Sequence, residues 1–163
     1  MENYITVDLF RNDMKFSAAH FTVFSATKRE RIHGHNYYVR LKVSSIIGDN
    51  GITYDYRFER NKIKDLCKYL NEYFLLPKFC SFLSLEEKDN EVVIVEFNNR
   101  SMSLLRDDIR ILPLTNITSE ALAKWFLDSL LKDSEHIKNN KIKRISVMVS
   151  TTTGQSSQVD WRT

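Results

Sequence analysis

Three of the chain's four histidines stand where they could share a cation: His20 closes an extended stretch, and His33-Gly34-His35 sets two imidazoles two residues apart. In a strand, residues i and i+2 project to the same side, so both rings of the pair can reach one ion. Gly34 between them leaves room for a close backbone approach. Neutral imidazole suits zinc at about 2.0–2.1 Å, and three protein ligands with a fourth position open is the catalytic form of such a site. Spacing alone does not separate this reading from an ordinary polar strand face, because the sequence shows no partner that would orient the rings. Glu30, three residues before His33, is a candidate general base beside such an ion. It reads equally as one charge in the solvated run Lys28-Arg29-Glu30-Arg31. His136 sits in a charged helix end and reads as a surface residue.

The elements that must position these groups follow from periodicity. Residues 4–10 are β-rich, with Ile5, Val7 and Leu9 on one face, and residues 14–21 continue as a second extended stretch. Residues 35–46 make a long strand in which Tyr37, Val39, Leu41 and Val43 share a face. Asp49-Asn50-Gly51 signals a turn, followed by a short extended segment at 52–54. Helical spacing of Ile63, Leu66, Cys67 and Leu70 predicts a helix over 58–70, with Asp55 placed to cap it. Strands at 91–97 and 101–105 flank Asn98-Asn99, a type I′ hairpin turn. A second helix starts at Thr118 as N-cap, with Glu120 in its first turn and Leu122, Trp125, Phe126 and Leu130 as its buried stripe. Strands at 143–150 and 158–161 close the chain, giving an α+β fold ordered ββ-α-(ββ)-α-ββ.

At 163 residues, 42% apolar and 28% charged with ten Phe and seven Tyr, the chain has the material for a single domain spanning residues 1–163. The net charge of +3 is scattered, without a basic stripe or RNA-binding signature, which argues against a nucleic-acid partner. Cys67 and Cys80 form no CxxC pair and point to a reducing compartment. No apolar run approaches the ~18 residues that span a bilayer, and the N-terminus lacks a basic segment followed by an apolar one. The expectation is a soluble cytoplasmic protein with no membrane partner.

Phe16-Ser17-Ala18-Ala19-His20-Phe21 and Ile32-His33-Gly34-His35-Asn36-Tyr37 resemble the signature of the 6-pyruvoyl-tetrahydropterin synthase and 6-carboxytetrahydropterin synthase family. Further matches run in order along nearly the whole chain: residues 51–56, 74–77, 116–123 and 149–156. The resemblance implies a T-fold, an antiparallel four-stranded sheet with two helices on one face. It also implies a homo-oligomer, commonly a hexamer of two stacked trimers, with active sites at subunit interfaces. By the same likeness, His20, His33 and His35 are zinc ligands, and the zinc acts as a Lewis acid on side-chain oxygens of a pterin-like substrate. Thr118, Ser119 and Glu120 fall in a segment that contacts the pterin in the family, although they also satisfy an ordinary helix N-cap without any ligand.

The chain departs from the family pattern at three places. Typical members carry a catalytic Cys four residues before the first His of HGH; Arg29 stands there, and neither Cys67 nor Cys80 replaces it by position, which excludes thiolate chemistry at that spot. Glu30-Arg31-Ile32-His33-Gly34-His35 instead resembles the ExxHGH variant of a subgroup exemplified by apicomplexan parasites. That subgroup cleaves the side chain of dihydroneopterin to 6-hydroxymethyl-dihydropterin, a folate precursor. The family's Leu-Asp-His, which assists proton transfer, aligns with Leu70-Asn71-Glu72. Asn71 cannot take a proton; Glu72 can act as acid or base but reads more simply as an exposed helix-end carboxylate. The family's pterin-anchoring Glu aligns with Thr151, a weaker acceptor. Losing a hydrogen bond to a charged group costs roughly 1.5–3 kcal/mol, about tenfold to a hundredfold in binding. Two readings follow. One is a zinc-dependent lyase acting on a dihydroneopterin-like substrate with Glu30 as base. The other is a divergent paralogue that retains zinc without pterin chemistry, either a binding protein or an enzyme for a different small heterocycle.

Overall fold

The computed structural model describes residues 3–152 and 154–163; Thr153, inside the motif at 149–156, lies outside the described residues, as do Met1 and Glu2. The chain opens with β1 (Tyr4–Leu9), β2 (Lys15–His20) and the long β3 (His33–Ile46). Helix α1 (Arg57–Leu70) is followed by β4 (Tyr73–Pro77), β5 (Ser84–Lys88), β6 (Val92–Phe97), β7 (Arg100–Leu105) and β8 (Ile109–Leu112). Helices α2 (Ser119–Leu131) and α3 (Ser134–Asn139) lead to a closing hairpin, β9 (Ile142–Thr152) and β10 (Gln155–Arg162).

Strand β3 sets the layers. Tyr37, Val39, Leu41 and Val43 are buried while Asn36 and Tyr38 are exposed, the alternation its sequence requires. Strands β1 and β2 lie end to end along one side of β3, β9 lies along the other, and β10 pairs with β9, all antiparallel. This is the expected four-stranded sheet, one strand of it interrupted by the turn after Leu9. Strands β4 and β8 extend it in parallel beyond β2, giving the order β10-β9-β3-β2-β4-β8 with β1 on β3. They escaped the sequence reading because each is short and pairs with a distant segment, so neither shows a hairpin signature. Residues 52–54 form no strand.

The long helices cover the face of the sheet that carries the buried alternate residues. Helix α1 buries Ile63, Cys67 and Leu70 as its period predicts, and Glu59 with them. Its N-cap residue is Tyr56, not Asp55; Asp55 forms a tighter local turn, accepting from the Arg57 amide at 3.0 Å and gripping the Arg57 guanidinium. Helix α2 starts as expected, with Thr118 Oγ1 accepting from the Ala121 amide at 3.2 Å. Leu122, Phe126 and Leu130 are buried, whereas Trp125 is half-buried. His136 is not a surface residue. Its Nε2 lies 2.8 Å from Oε1 of the buried Glu59, and its ring stacks on Phe58 at 4.1 Å. A carboxylate on the packed face of α1 needs such a partner.

A second cluster, including Phe21, Val23, Phe74, Leu76, Val93, Val95 and Ile109, lies beneath the separate three-stranded meander β5-β6-β7. Its β6–β7 turn holds Asn98 and Asn99 at φ of 50° and 57°, the I′ conformation anticipated from the two asparagines. The meander occupies most of residues 77–113 and packs against the loop that carries Glu30. No helix among the described residues is long and apolar enough to cross a membrane.

Candidate metal centre

Strand pairing brings the three imidazoles together. His20 ends β2 directly opposite His33 at the start of β3, which begins two residues earlier than expected and so includes both rings of the HGH motif. Ring centroids are 4.6 Å apart for His20–His33, 5.3 Å for His20–His35 and 4.8 Å for His33–His35. The ligand-capable nitrogens all lie within 4.8 Å of one another. Gly34 is not required for this approach, since a Cβ there would meet only the Ala18 carbonyl at an ordinary 3.5 Å.

The orientation that the sequence could not show comes from the main chain. His20 Nδ1 lies 2.8 Å from the Ile117 carbonyl, and His33 Nδ1 lies 2.8 Å from the Arg31 carbonyl. A carbonyl only accepts, so each Nδ1 carries the proton and each Nε2 keeps its lone pair. His20 is buried, and its Nε2 has no hydrogen-bond partner among the described residues. Burial first, and then the neighbouring imidazoles, push the His20 pKa down to about 4; burial and His33 lower that of His35. Three converging imidazoles, two of them anchored to carbonyls through Nδ1 and one with an orphaned buried Nε2, fit a divalent transition metal.

Glu30 enters from a tight hairpin spanning residues 22–30. Its Oε2 accepts from the Thr22 amide at 3.0 Å, its own amide donates to the Thr22 carbonyl at 2.9 Å, and Val23 bridges to Arg29. The same oxygen is 3.9 Å from His33 Nε2. The Thr22 hydrogen bonds and the nearby imidazoles hold the Glu30 carboxyl below its usual range. Arg29, at the family's cysteine position, spreads its guanidinium over Phe21 (4.6 Å) and Phe97 (5.6 Å) and donates to the Glu30 carbonyl at 2.7 Å.

The other candidates divide. Thr118, Ser119 and Glu120 follow directly on Ile117 and so adjoin His20, and Ser119 Oγ meets Ser157 Oγ of β10 at 2.7 Å. Glu120 is exposed, and its carboxyl is held low by its own main-chain amide and by Thr118 and Ser119. Thr151 is half-buried near the end of β9, at the register shift where the pairing passes from Ser150–Ser156 to Thr152–Gln155. Glu72 does not join the imidazoles. It is exposed, sits at φ 66°, and lines a depression of about 530 Å³ that it shares with His35, Ser17, Asn36 and Asp108. Asn71 accepts from the Ser17 amide at 2.9 Å, a joining role. Sequence reasoning missed the Ile117 and Arg31 carbonyls, because main-chain acceptors occur at every position, and it gave Asn116 no role although that residue opens the matched segment 116–123.

A T-fold sheet with helices on one face and three converging imidazoles at its rim defines a protein with a transition-metal-type site. Residues 10–160 match the family model described as 6-pyruvoyl tetrahydropterin synthase, and the chain belongs to that family. A Methanocaldococcus jannaschii protein provisionally named 6-carboxy-5,6,7,8-tetrahydropterin synthase is 28% identical over 145 residues, 88% of each chain. The 6-pyruvoyl tetrahydropterin synthase of Plasmodium falciparum has a TM-score of 0.91 at 28% identity, covering 98% of this chain and 99% of that one. The Plasmodium vivax enzyme also reaches 0.91, at 24% identity, over 99% of this chain and 100% of its own.

Proposed function

We propose that this chain is a zinc-dependent lyase that cleaves the side chain of a dihydroneopterin-like pterin, with Glu30 as general base. The observation that carries the reading is a carboxylate fixed 3.9 Å from a ligand-capable nitrogen of a three-histidine cluster in which His20 and His33 are each tied to a carbonyl through the other ring nitrogen. In a Plasmodium vivax enzyme of the same fold, a glutamate is named as the catalytic residue. Bound zinc supplies Lewis-acid polarisation of a substrate oxygen. The chain's residues do the rest. His20, His33 and His35 would hold the ion; Glu30 takes the proton from the hydroxyl on the departing carbon of the side chain as the carbon–carbon bond next to it breaks, and returns it to the carbon left on the pterin, while the two-carbon remainder leaves as an aldehyde. Glu120 offers two parallel acceptors to the guanidine-like edge of the pterin, a role for which Thr151 lacks the charge. Thr118 and Ser119 line the same approach.

Zinc-loaded protein incubated with dihydroneopterin should give 6-hydroxymethyl-dihydropterin, and Glu30→Gln should lower kcat by about 10²–10⁴ with metal content unchanged. No turnover of dihydroneopterin, its triphosphate or related pterins ends this reading. Glu72, exposed and outside the three-imidazole group, together with Thr151 at the pterin-anchor position, favours a second one: a metal-binding paralogue without pterin chemistry. In that case Glu30→Gln leaves any measured activity untouched.

A further inference from the structure

Asn116 belongs to neither the metal set nor the candidate pterin contacts, yet its side chain touches the supports of both catalytic halves. Its Oδ1 accepts from the Val23 amide and from the Ile117 amide, each at 3.1 Å, and its Nδ2 donates to the Val23 carbonyl at 2.7 Å. Both peptide groups of Val23 are thus held by one side chain. Val23 and Thr22 form the arm of the hairpin that grips Glu30, through the Thr22 amide on Oε2 and the Thr22 carbonyl on the Glu30 amide. Ile117, on the other side of Asn116, supplies the carbonyl that fixes the His20 tautomer.

We infer that Asn116 is a positioning residue that locks the hairpin presenting Glu30 to the carbonyl orienting His20. For catalysis this role rests on the proposed lyase reading; for metal binding it does not. The chemistry is specific to the amide. Two acceptor contacts and one donor contact are made from a side chain of this length, and Asp would keep the acceptors but lose the donor, while Ser would be too short to span the gap. Residues 113–118 join β8 to α2, so nothing in a strand ladder fixes the Ile117 carbonyl in place of this side chain. Supports of this kind, one step behind the ligands, typically change metal affinity or activity by about tenfold to a hundredfold when removed.

The test compares the full chain with Asn116→Ala and Asn116→Asp, under conditions where circular dichroism shows each folded. Zinc affinity is measured by competition with a chromophoric chelator, the cobalt(II) form is followed by its visible spectrum, and kcat and KM are measured on dihydroneopterin. Asn116→Ala should lose about tenfold or more in zinc affinity and shift the cobalt spectrum. Its kcat should fall with KM little changed, the signature of lost positioning rather than lost binding. Asn116→Asp should keep zinc affinity near that of the natural chain while kcat falls, because only the donor to Val23 is gone. A folded Ala variant with unchanged zinc affinity and cobalt spectrum overturns the inference. If the Ala variant does not fold, an Asp variant with undiminished kcat overturns it. Should the natural chain turn over no pterin at all, the lyase reading fails while the zinc and cobalt measurements still decide the role of Asn116.

Discussion

Glu30, His20 and His33 are held by main-chain groups, and burial sets the protonation of the innermost of them. His20 shows the consequence most clearly. As pH falls through its ordinary value near 6.5, the unfolded chain takes up a proton that the metal-free native state refuses until about pH 4. Native stability is therefore complete above the unfolded value and declines across that window, by a term on the order of 3 kcal/mol. The urea midpoint of the metal-free protein should fall between pH 7 and pH 4.5 by more than that of His20→Gln; parallel curves would show that His20 is not buried in its neutral form. Cys67, whose pKa is pushed up to about 12 by burial, should resist iodoacetamide in the native state, and its modification should require unfolding. The three imidazoles were legible from the sequence because two-residue spacing and strand alternation are strong local signals. The carbonyls of Ile117 and Arg31 were not, since the first contact joins residues far apart in the chain.

The elements differ in how openly their sequences declared them. Strand β3 and helix α2 announce themselves through unbroken period and a capping Thr, and the β6–β7 turn through two asparagines that accept positive φ. Replacing Asn99 with Val forces a β-branched residue into that conformation and should cost roughly 1–2 kcal/mol, read from the shift in urea midpoint. Strands β4 and β8 stayed hidden because parallel pairing between separated segments leaves no turn signature. The contact between α1 and α3 was misread at His136 because polarity alone suggested exposure. Removing that ring leaves the buried Glu59 carboxylate without its partner, so His136→Ala should destabilise by about 3 kcal/mol or more. Glu59→Gln should cost less, since an amide still finds a partner in the ring, whereas His136→Ala strips the buried side chain of it; equal losses would contradict the ring as the partner that Glu59 needs.

For the whole molecule, the sheet face opposite the helices stays uncovered and carries charge, with Asp8–Arg40 and Arg144–Asp160 pairs spread across β1, β3, β9 and β10. Strand β10 also ends the sheet, with one side unpaired among the described residues. A long free edge beside a polar, helix-free face suits closure of the sheet by further copies of the chain. Light scattering should report a hexamer, six times the 19.2 kDa chain mass; a monomer with full activity would contradict assembly as a condition for the site. The expectation of assembly comes only from family resemblance, since neither composition nor periodicity encodes which edge meets which.

The most direct measurement is the metal content of the purified protein by atomic emission, beside that of His20→Ala and His33→Ala. One zinc per chain in the natural protein, lost in both variants while each remains folded, is the predicted result. A natural protein that carries no zinc and takes none up on addition, or variants that retain a full equivalent, would contradict the metal centre on which the proposed chemistry stands.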